Sequence, residues 1–218
     1  MVEEPATKRV VAFVDGQNLF RCAKEIWNYT HPNYDVTKLA NAVAGSRAFS
    51  GWNAPSVRFY TGVPEQAHDA FWASFWQRKI AAMRAAGAYV FSRSLRYRRQ
   101  HFVCKKCGEE QNVTCRNCGT ECEPRGNEKG IDVRIALDVV GMALANEYDV
   151  ALIFSQDQDL SEAADEVRTV AKQQRRWIKV ASAFPEGGTN RRGIEKMDWL
   201  PFSRATYDAC VDPRDYRK

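Results

Sequence analysis

Histidine is scarce in this chain: there are three in 218 residues, His31, His68 and His101. None stands beside a motif, so chemistry that leans on an imidazole has little to work with. Long apolar runs are also missing. The longest uninterrupted stretches are a handful of residues, far short of the roughly 20 needed to cross a bilayer. The opening Met1-Val2-Glu3-Glu4-Pro5 carries acid where a leader peptide would carry base, which predicts an intracellular, cytoplasmic protein without membrane association. No internal repeat and no low-complexity linker interrupts the chain. What remains has the balance of a globular protein, 44% apolar and 27% charged, and a length that suits one α/β domain with a small insert. The net charge of +5 is modest. It gains weight if several carboxylates are gathered in one place, since the rest of the surface is then basic enough to approach a polyphosphate.

Periodicity predicts an open, mostly parallel sheet. Val10 to Val14 is a continuous apolar run that stops at Asp15-Gly16, the pattern of a central strand buried on both faces. Helical spacing follows over about 17–28 and from Val36 to Val43. A strand is expected at 56–62, a long Ala-, Phe- and Trp-rich helix over about 67–86, and a strand at 88–91. Residues 93–126 break the alternation, holding five of the seven cysteines without helical periodicity. A helix over about 129–146, a strand at 150–154, a helix over about 160–174 and a strand at 177–183 then precede a less regular tail. This order predicts helices on both faces of the sheet.

Acidic residues stand where such a sheet binds ligands, beyond the carboxyl ends of its strands. The first strand ends in Asp15. The strand at 150–154 ends in Ser155-Gln156-Asp157-Gln158-Asp159. Asp132 precedes Ile135, Ala136 and Val139 by three, four and seven residues, which places it on the inward face in the first turn of its helix. An inward carboxylate is costly unless paired or coordinated. Clustered carboxylates repel one another, and hard cations such as Mg²⁺ or Mn²⁺ resolve that repulsion while keeping waters for chemistry. Two such ions about 3.5–4 Å apart can serve phosphodiester hydrolysis. Any one of these aspartates, Asp159 above all, could instead cap a helix. Asp138 lies four residues after Arg134, the spacing of a surface ion pair, and is left out of the site.

Phe13-Val14-Asp15-Gly16-Gln17-Asn18-Leu19, Lys129-Gly130-Ile131-Asp132-Val133 and Ser155-Gln156-Asp157-Gln158-Asp159-Leu160 together resemble the NYN domain, a branch of the PIN-like nuclease superfamily that includes the LabA-like bacterial proteins. The resemblance covers residues 8–92 and 127–202. It implies a PIN-like three-layer α/β/α sandwich, a divalent-metal site and, usually, ribonuclease activity. Asp15, Asp132, Asp157 and Asp159 match the family's acidic positions, Asn18 its supporting asparagine and Ser155 the serine that leads the last motif. Gln156 and Gln158 stand where the family commonly has glycines, and Leu160 where it commonly has Phe. The expected organisation is a nuclease domain over 8–202, interrupted by an insert at 93–126 and followed by a tail at 203–218.

Cys104-Lys105-Lys106-Cys107-Gly108 and Cys115-Arg116-Asn117-Cys118-Gly119 are two CxxCG knuckles, which read as a structural Zn²⁺ site of Cys₄ type with Cys122 or His101 as substitutes. A redox dithiol is the rival for either knuckle alone. Cys22 and Cys210 read as small buried hydrophobes. Arg93, Arg96, Arg98 and Arg99 surround Tyr97, and Lys105, Lys106 and Arg116 follow, a mixture suited to phosphate contact and base stacking on RNA. The expectation is a metal-dependent ribonuclease. The alternative is an inactive RNA-binding or adaptor module that retains the acidic pocket. A phosphotransferase with Asp15 as nucleophile would want a second Asp at position 17, where Gln17 stands. DNA as substrate, a homodimer and a protein partner for the insert stay open.

Overall fold

The structure is a computed structural model, and it describes residues 2–218 except 48–49, 98–100, 123–125 and 188–190. In chain order the first elements are β1 (Val10–Asp15), α1 (Gly16–Trp27), α2 (Val36–Gly45), β2 (Ser56–Val63), α3 (Ala70–Ala85) and β3 (Tyr89–Ser94). Four short strands belong to the insert: β4 (Arg96–Tyr97), β5 (His101–Val103), β6 (Glu110–Asn112) and β7 (Gly126–Asn127). The chain returns with α4 (Ile131–Leu144), β8 (Val150–Phe154), a 3-10 turn (Gln158–Leu160), α5 (Ser161–Gln173), β9 (Lys179–Pro185), β10 (Asp198–Phe202) and α6 (Arg204–Asp208).

Six strands form one sheet in the order β10-β9-β8-β1-β2-β3, and every neighbouring pair is parallel. β1 and β8 are buried at every position, as their uniformly apolar sequences require at the middle of a covered sheet. Alternate residues serve opposite faces. Val10, Ala12 and Val14 pack with side chains from α1, α2 and α3, while Val11 and Phe13 pack with α4 and α5. The result is the α/β/α sandwich expected from the residue pattern. After β1 the chain builds outward through β2 and β3, then returns to the other side of β1 to build β8, β9 and β10. The order therefore reverses between β1 and β8, and sheets of this kind bind ligands at the carboxyl ends of the strands at such a reversal.

Two elements were not foreseen. β10 is a sixth strand in a stretch expected to be irregular, and Pro201 within it is tolerated because β10 lies at the sheet edge. The tail after it packs onto the domain: Tyr207 and Tyr216 are buried, and Tyr207 stands 5.4 Å from Trp27 and 5.5 Å from Tyr34 between ring centroids. The long helix α3 begins later than its composition suggests because Asp69 caps it, accepting from the Trp72 amide at 3.0 Å. Its Phe75 and Trp76 are core residues, as their spacing predicts.

The surface ion pair expected of Asp138 is instead a buried network. Asp138 is 9% exposed and meets Arg134 at 2.9 Å, as the spacing predicts, but it also accepts from the Tyr60 hydroxyl at 2.7 Å and from Arg58 at 3.0 Å. Those two donors stand on β2, so sequence spacing along α4 could not reveal them. Although burial opposes ionisation, these donors hold the Asp138 carboxyl below the usual range. Such a group adds stability above its unfolded value and loses it as pH falls. Asp138→Ala strands two arginines and a buried phenol and is expected to cost about 3 kcal/mol, read as a lower urea midpoint with an unchanged slope.

Candidate active site

Asp15 is the last residue of β1 and the N-cap of α1, accepting from the Asn18 amide at 2.9 Å. It is 5% exposed. Val14 is in register with Phe154, so the residues that follow each of them, Asp15 and Ser155, emerge side by side. The Ser155 hydroxyl donates to Asp15 Oδ2 at 3.3 Å and accepts from the Asp157 amide at 3.1 Å. Asn18 completes the clasp, its side-chain oxygen accepting from the Gln156 amide at 3.0 Å. Asn18 and Ser155 thus join the two acidic loops at the crevice. Asp157 in turn caps the 3-10 turn, accepting from the Asp159 amide at 3.1 Å.

Gln156 and Gln158 are tethers. Gln156 donates to the Arg192 carbonyl, and Gln158 bridges the Gly193 carbonyl at 3.2 Å and the Glu195 amide at 2.9 Å. Ser182 of β9 extends the frame, donating to the Ser155 carbonyl at 2.8 Å and accepting from the Ile194 amide at 3.1 Å. Where glycines would let a loop approach a ligand with bare backbone, these side chains fix it to the 192–195 segment.

Glu128 was missed by the reading of the sequence. It lies just before α4, half-buried, and its Oε2 accepts from the Gly62 amide. A side chain at position 62 would collide with it, since a Cβ there would lie 2.7 Å from Glu128 Oε2 and 2.5 Å from Leu95 Cδ2. Burial, with the Asp15 charge next, pushes the Glu128 carboxyl up to about 7, and Asp132 adds to the effect. Burial likewise raises Asp15 to about 6, opposed by the Asn18 amide and aided by the charge of Asp157. Arg21, one turn beyond Asn18 on α1, is the cation that acts on both. Glu128 is four residues from Asp132, and its loop position carries no periodicity to flag it.

The acidic residues expected from sequence are therefore placed unequally. Asp15 and Asp157 stand together, Asp132 sits half-buried in the first turn of α4 within electrostatic reach of Glu128, and Asp159 is exposed, lining a groove with Asp132. Among the described residues, no three His, Cys, Asp or Glu side chains converge on one point as an enclosing ion site would need. The donor chemistry still suits Mg²⁺ or Mn²⁺, which are commonly held by one or two carboxylates with water completing the shell.

The insert leaves the sheet through a stem in which Arg96 and Tyr97 pair antiparallel with Asn127 and Gly126. Its two knuckles have the same backbone. The Cys104 amide donates to Glu109 at 2.9 Å and the Gly108 amide to Cys104 at 2.8 Å; Cys115–Thr120 and Gly119–Cys115 repeat this at 2.8 Å each. Gly108 and Gly119 have φ of +74° and +70°, a conformation that favours glycine and closes each turn. Each turn sets its two thiols side by side: hydrogen bonds from the Cys107 and Lys106 amides lower the Cys104 thiol, and the Thr120 hydroxyl lowers Cys118. The two pairs do not converge on one point as placed. Cys122 is exposed. Of the other cysteines, Cys210 is buried as expected, while Cys22 is half-buried beside Asn18.

Arg93, Arg96, Lys105, Lys106 and Arg116 are all exposed. Arg93 lies against the N-terminus of α4, its Nη1 2.8 Å from where a Cβ on Gly130 would stand. Tyr97 has one face stacked on His68 at 3.7 Å between centroids, which occupies a face that base stacking would use. Arg98 and Arg99 lie outside the described residues.

The chain matches the NYN domain family over residues 9–192, and it belongs to that family. A search of curated proteins returned no match. Among solved structures, a protein of unknown function from Vibrio parahaemolyticus RIMD 2210633 is 16% identical, with 98% of each chain covered and a TM-score of 0.46. A Sir2 homologue in complex with NAD is 12% identical over 90% of this chain and 84% of its own, at 0.34. Both scores are too low to bear on function. Among the described residues no helix is long and apolar enough to cross a membrane.

Proposed function

We propose that this NYN domain is a metal-dependent ribonuclease, probing RNA with its insert and cutting it at the crevice between β1 and β8. The observation that supports this reading is the joining of the Asp15 and Asp157 loops at the switch point, with Glu128 raised by burial and by the charges of Asp15 and Asp132, and Asp15 by burial and the charge of Asp157. A fold holds such a mutually repelling set at a cost, which a cation offsets. Asp15, Asp157 and Asp132 are the ligands assigned to Mg²⁺ or Mn²⁺, with Glu128 as a further carboxylate and Asp159 acting through solvent. When bound, such a cation neutralises phosphate charge and makes a water more acidic. The protein's own part is positional: Asn18 and Ser155 lock the two acidic loops together, and Arg21 and Arg93 supply positive charge on either side for the phosphates. Arg96, Lys105, Lys106 and Arg116 extend that charge along the insert, with Arg98 and Arg99 as further candidates from sequence. The test is cleavage of a labelled structured-RNA pool with Mn²⁺, Mg²⁺ or EDTA. Binding without cleavage under every metal would overturn the reading.

The insert is assigned a structural Zn²⁺ held by Cys104, Cys107, Cys115 and Cys118. Paired thiols on two identical turns fit that ion, and binding would draw the knuckles together. Purified protein is expected to carry one Zn²⁺ per chain by atomic absorption, and Cys104→Ser with Cys115→Ser to carry none. Equal metal content in both would sink the assignment.

A further inference from the structure

An aromatic pocket of about 170 Å³ begins one residue after Asp15, between α1 and α3. Gly16 and Gln17 form the wall nearest the carboxylates. Phe20 of α1 and Trp72 and Trp76 of α3 supply rings, and Pro32 and Pro64 close the sides. The volume lies below the roughly 300–1,000 Å³ of sites that enclose a whole small molecule, and it suits a single planar ring system. The rings are held in place by the core. A Cβ on Gly16 would collide with the Phe59 ring, and Phe59 packs on Trp76 at 6.0 Å between centroids. Trp72 meets Phe75 at 5.1 Å and Phe75 meets Trp76 at 5.5 Å, both edge to face, which fixes the two indoles. Trp76 is 5% exposed, while Trp72 and Phe20 are half-buried. The polar groups are few and unspent. Gln17 donates from Nε2 to the Gly62 carbonyl at 3.4 Å, and its amide oxygen has no partner among the described residues. Neither indole N–H of Trp72 and Trp76 has one, although buried indoles ordinarily do. The Gly62 amide is held by Glu128, so one residue of β2 joins the pocket to the carboxylates.

We infer that this pocket takes one unpaired base of the RNA, that of the nucleotide whose phosphate is presented to Asp15. Every base has a π-face to stack on Trp72 or Phe20, and a polar edge to meet the Gln17 amide. Gln17, Phe20 and Arg21 stand at i, i+3 and i+4 on α1, so the exposed Arg21 neighbours the pocket on the same side of the helix. It is placed for the phosphate of the nucleotide whose base is held. A base in a duplex cannot enter without leaving its stack, which costs free energy that an unpaired base does not spend. The pocket therefore selects a loop, a bulge or an end, and the site reads its RNA by pairing state as well as by charge. That the ligand is RNA rests on the ribonuclease reading.

Binding of the full chain in EDTA, read by fluorescence anisotropy, is compared for three RNA duplexes: fully paired, with one bulged nucleotide, and with that bulge made abasic. The bulged duplex is expected to bind about tenfold or more tighter than the paired one, and the abasic bulge to lose that gain. Trp72→Leu keeps an apolar side chain without the ring and should bind all three alike. Trp72→Phe should restore much of the preference. Circular dichroism checks that both variants fold, and the abasic comparison on the wild type needs no variant. Equal binding of the bulged and abasic duplexes by the wild type, or a Trp72→Leu variant that keeps the full preference, overturns the inference. So does a Trp72→Leu variant changed only in its mass by light scattering, which would make the pocket a seat for another protein. Cleavage is scored separately. Preference for the bulge without cleavage under any metal keeps the pocket and removes the nuclease, and cleavage without preference does the reverse.

Discussion

Asp157→Asn is expected to lower metal-dependent RNA cleavage by about 10²- to 10³-fold while leaving RNA affinity nearly unchanged. The substitution keeps the shape of the side chain and an oxygen able to accept from the Asp159 amide, so the 3-10 turn should persist. What it removes is one negative charge beside Asp15. Asp15→Asn should lose at least as much activity, because Asp15 is the carboxylate on which Asn18, Ser155 and the charge of Asp157 all converge. Asp159→Asn, exposed and one step outward, should cost less, on the order of tenfold. The ordering is the informative part. Equal and severe losses at Asp157 and Asp159 would mean that the outer aspartate turns inward to join the first three, and unchanged cleavage in Asp157→Asn would remove the crevice from the reaction. Filter binding in parallel separates loss of chemistry from loss of the RNA.

Added Mn²⁺ is expected to stabilise the protein strongly at pH 8 and hardly at pH 5. Asp15 and Glu128 are raised from their ordinary 3.8 and 4.5 to about 6 and about 7. The folded state therefore holds protons that the unfolded chain has released. Stability falls as pH rises from about 4 toward about 7, and by pH 8 the shifts together amount to a few kcal/mol of destabilisation. A cation bound only by the folded state returns about 2.7 kcal/mol at a hundred times its dissociation constant. In a chain of this length that is a rise in Tm of roughly 5–10 °C. At pH 5 the two carboxyls are largely protonated and the rise should vanish. Asp15→Asn should be more stable than wild type at pH 8 without metal and should lose the Mn²⁺ effect. A Tm shift of equal size at both pH values would contradict the assignment of these carboxylates.

Much of this could be read from the residues. Val10 to Val14 and Val150 to Phe154 declared themselves as central strands because both faces of each are covered, and strand ends in such a sheet point to the ligand crevice. That pattern alone brings Asp15 and Asp157 together. What escaped the sequence depends on contacts between distant segments. Glu128 matters because it folds over Gly62, 66 residues away, which no spacing along α4 reveals. Asp138 was assigned to its own helix because its other two partners are on β2. β10 was missed because an edge strand alternates weakly and carries Pro201. Asp132 and Asp159, equivalent as motif letters, differ in exposure only because the 3-10 turn carries Asp159 outward.

The stem that closes the insert has an evolutionary consequence. Chain entry and exit are pinned together at Arg96–Tyr97 and Gly126–Asn127, beside β3 and just ahead of α4. Whatever lies between can lengthen, shorten or be exchanged without stretching the connection that delivers Glu128 and Asp132 to the crevice. The insert can thus change as a cassette while the carboxylates stay untouched.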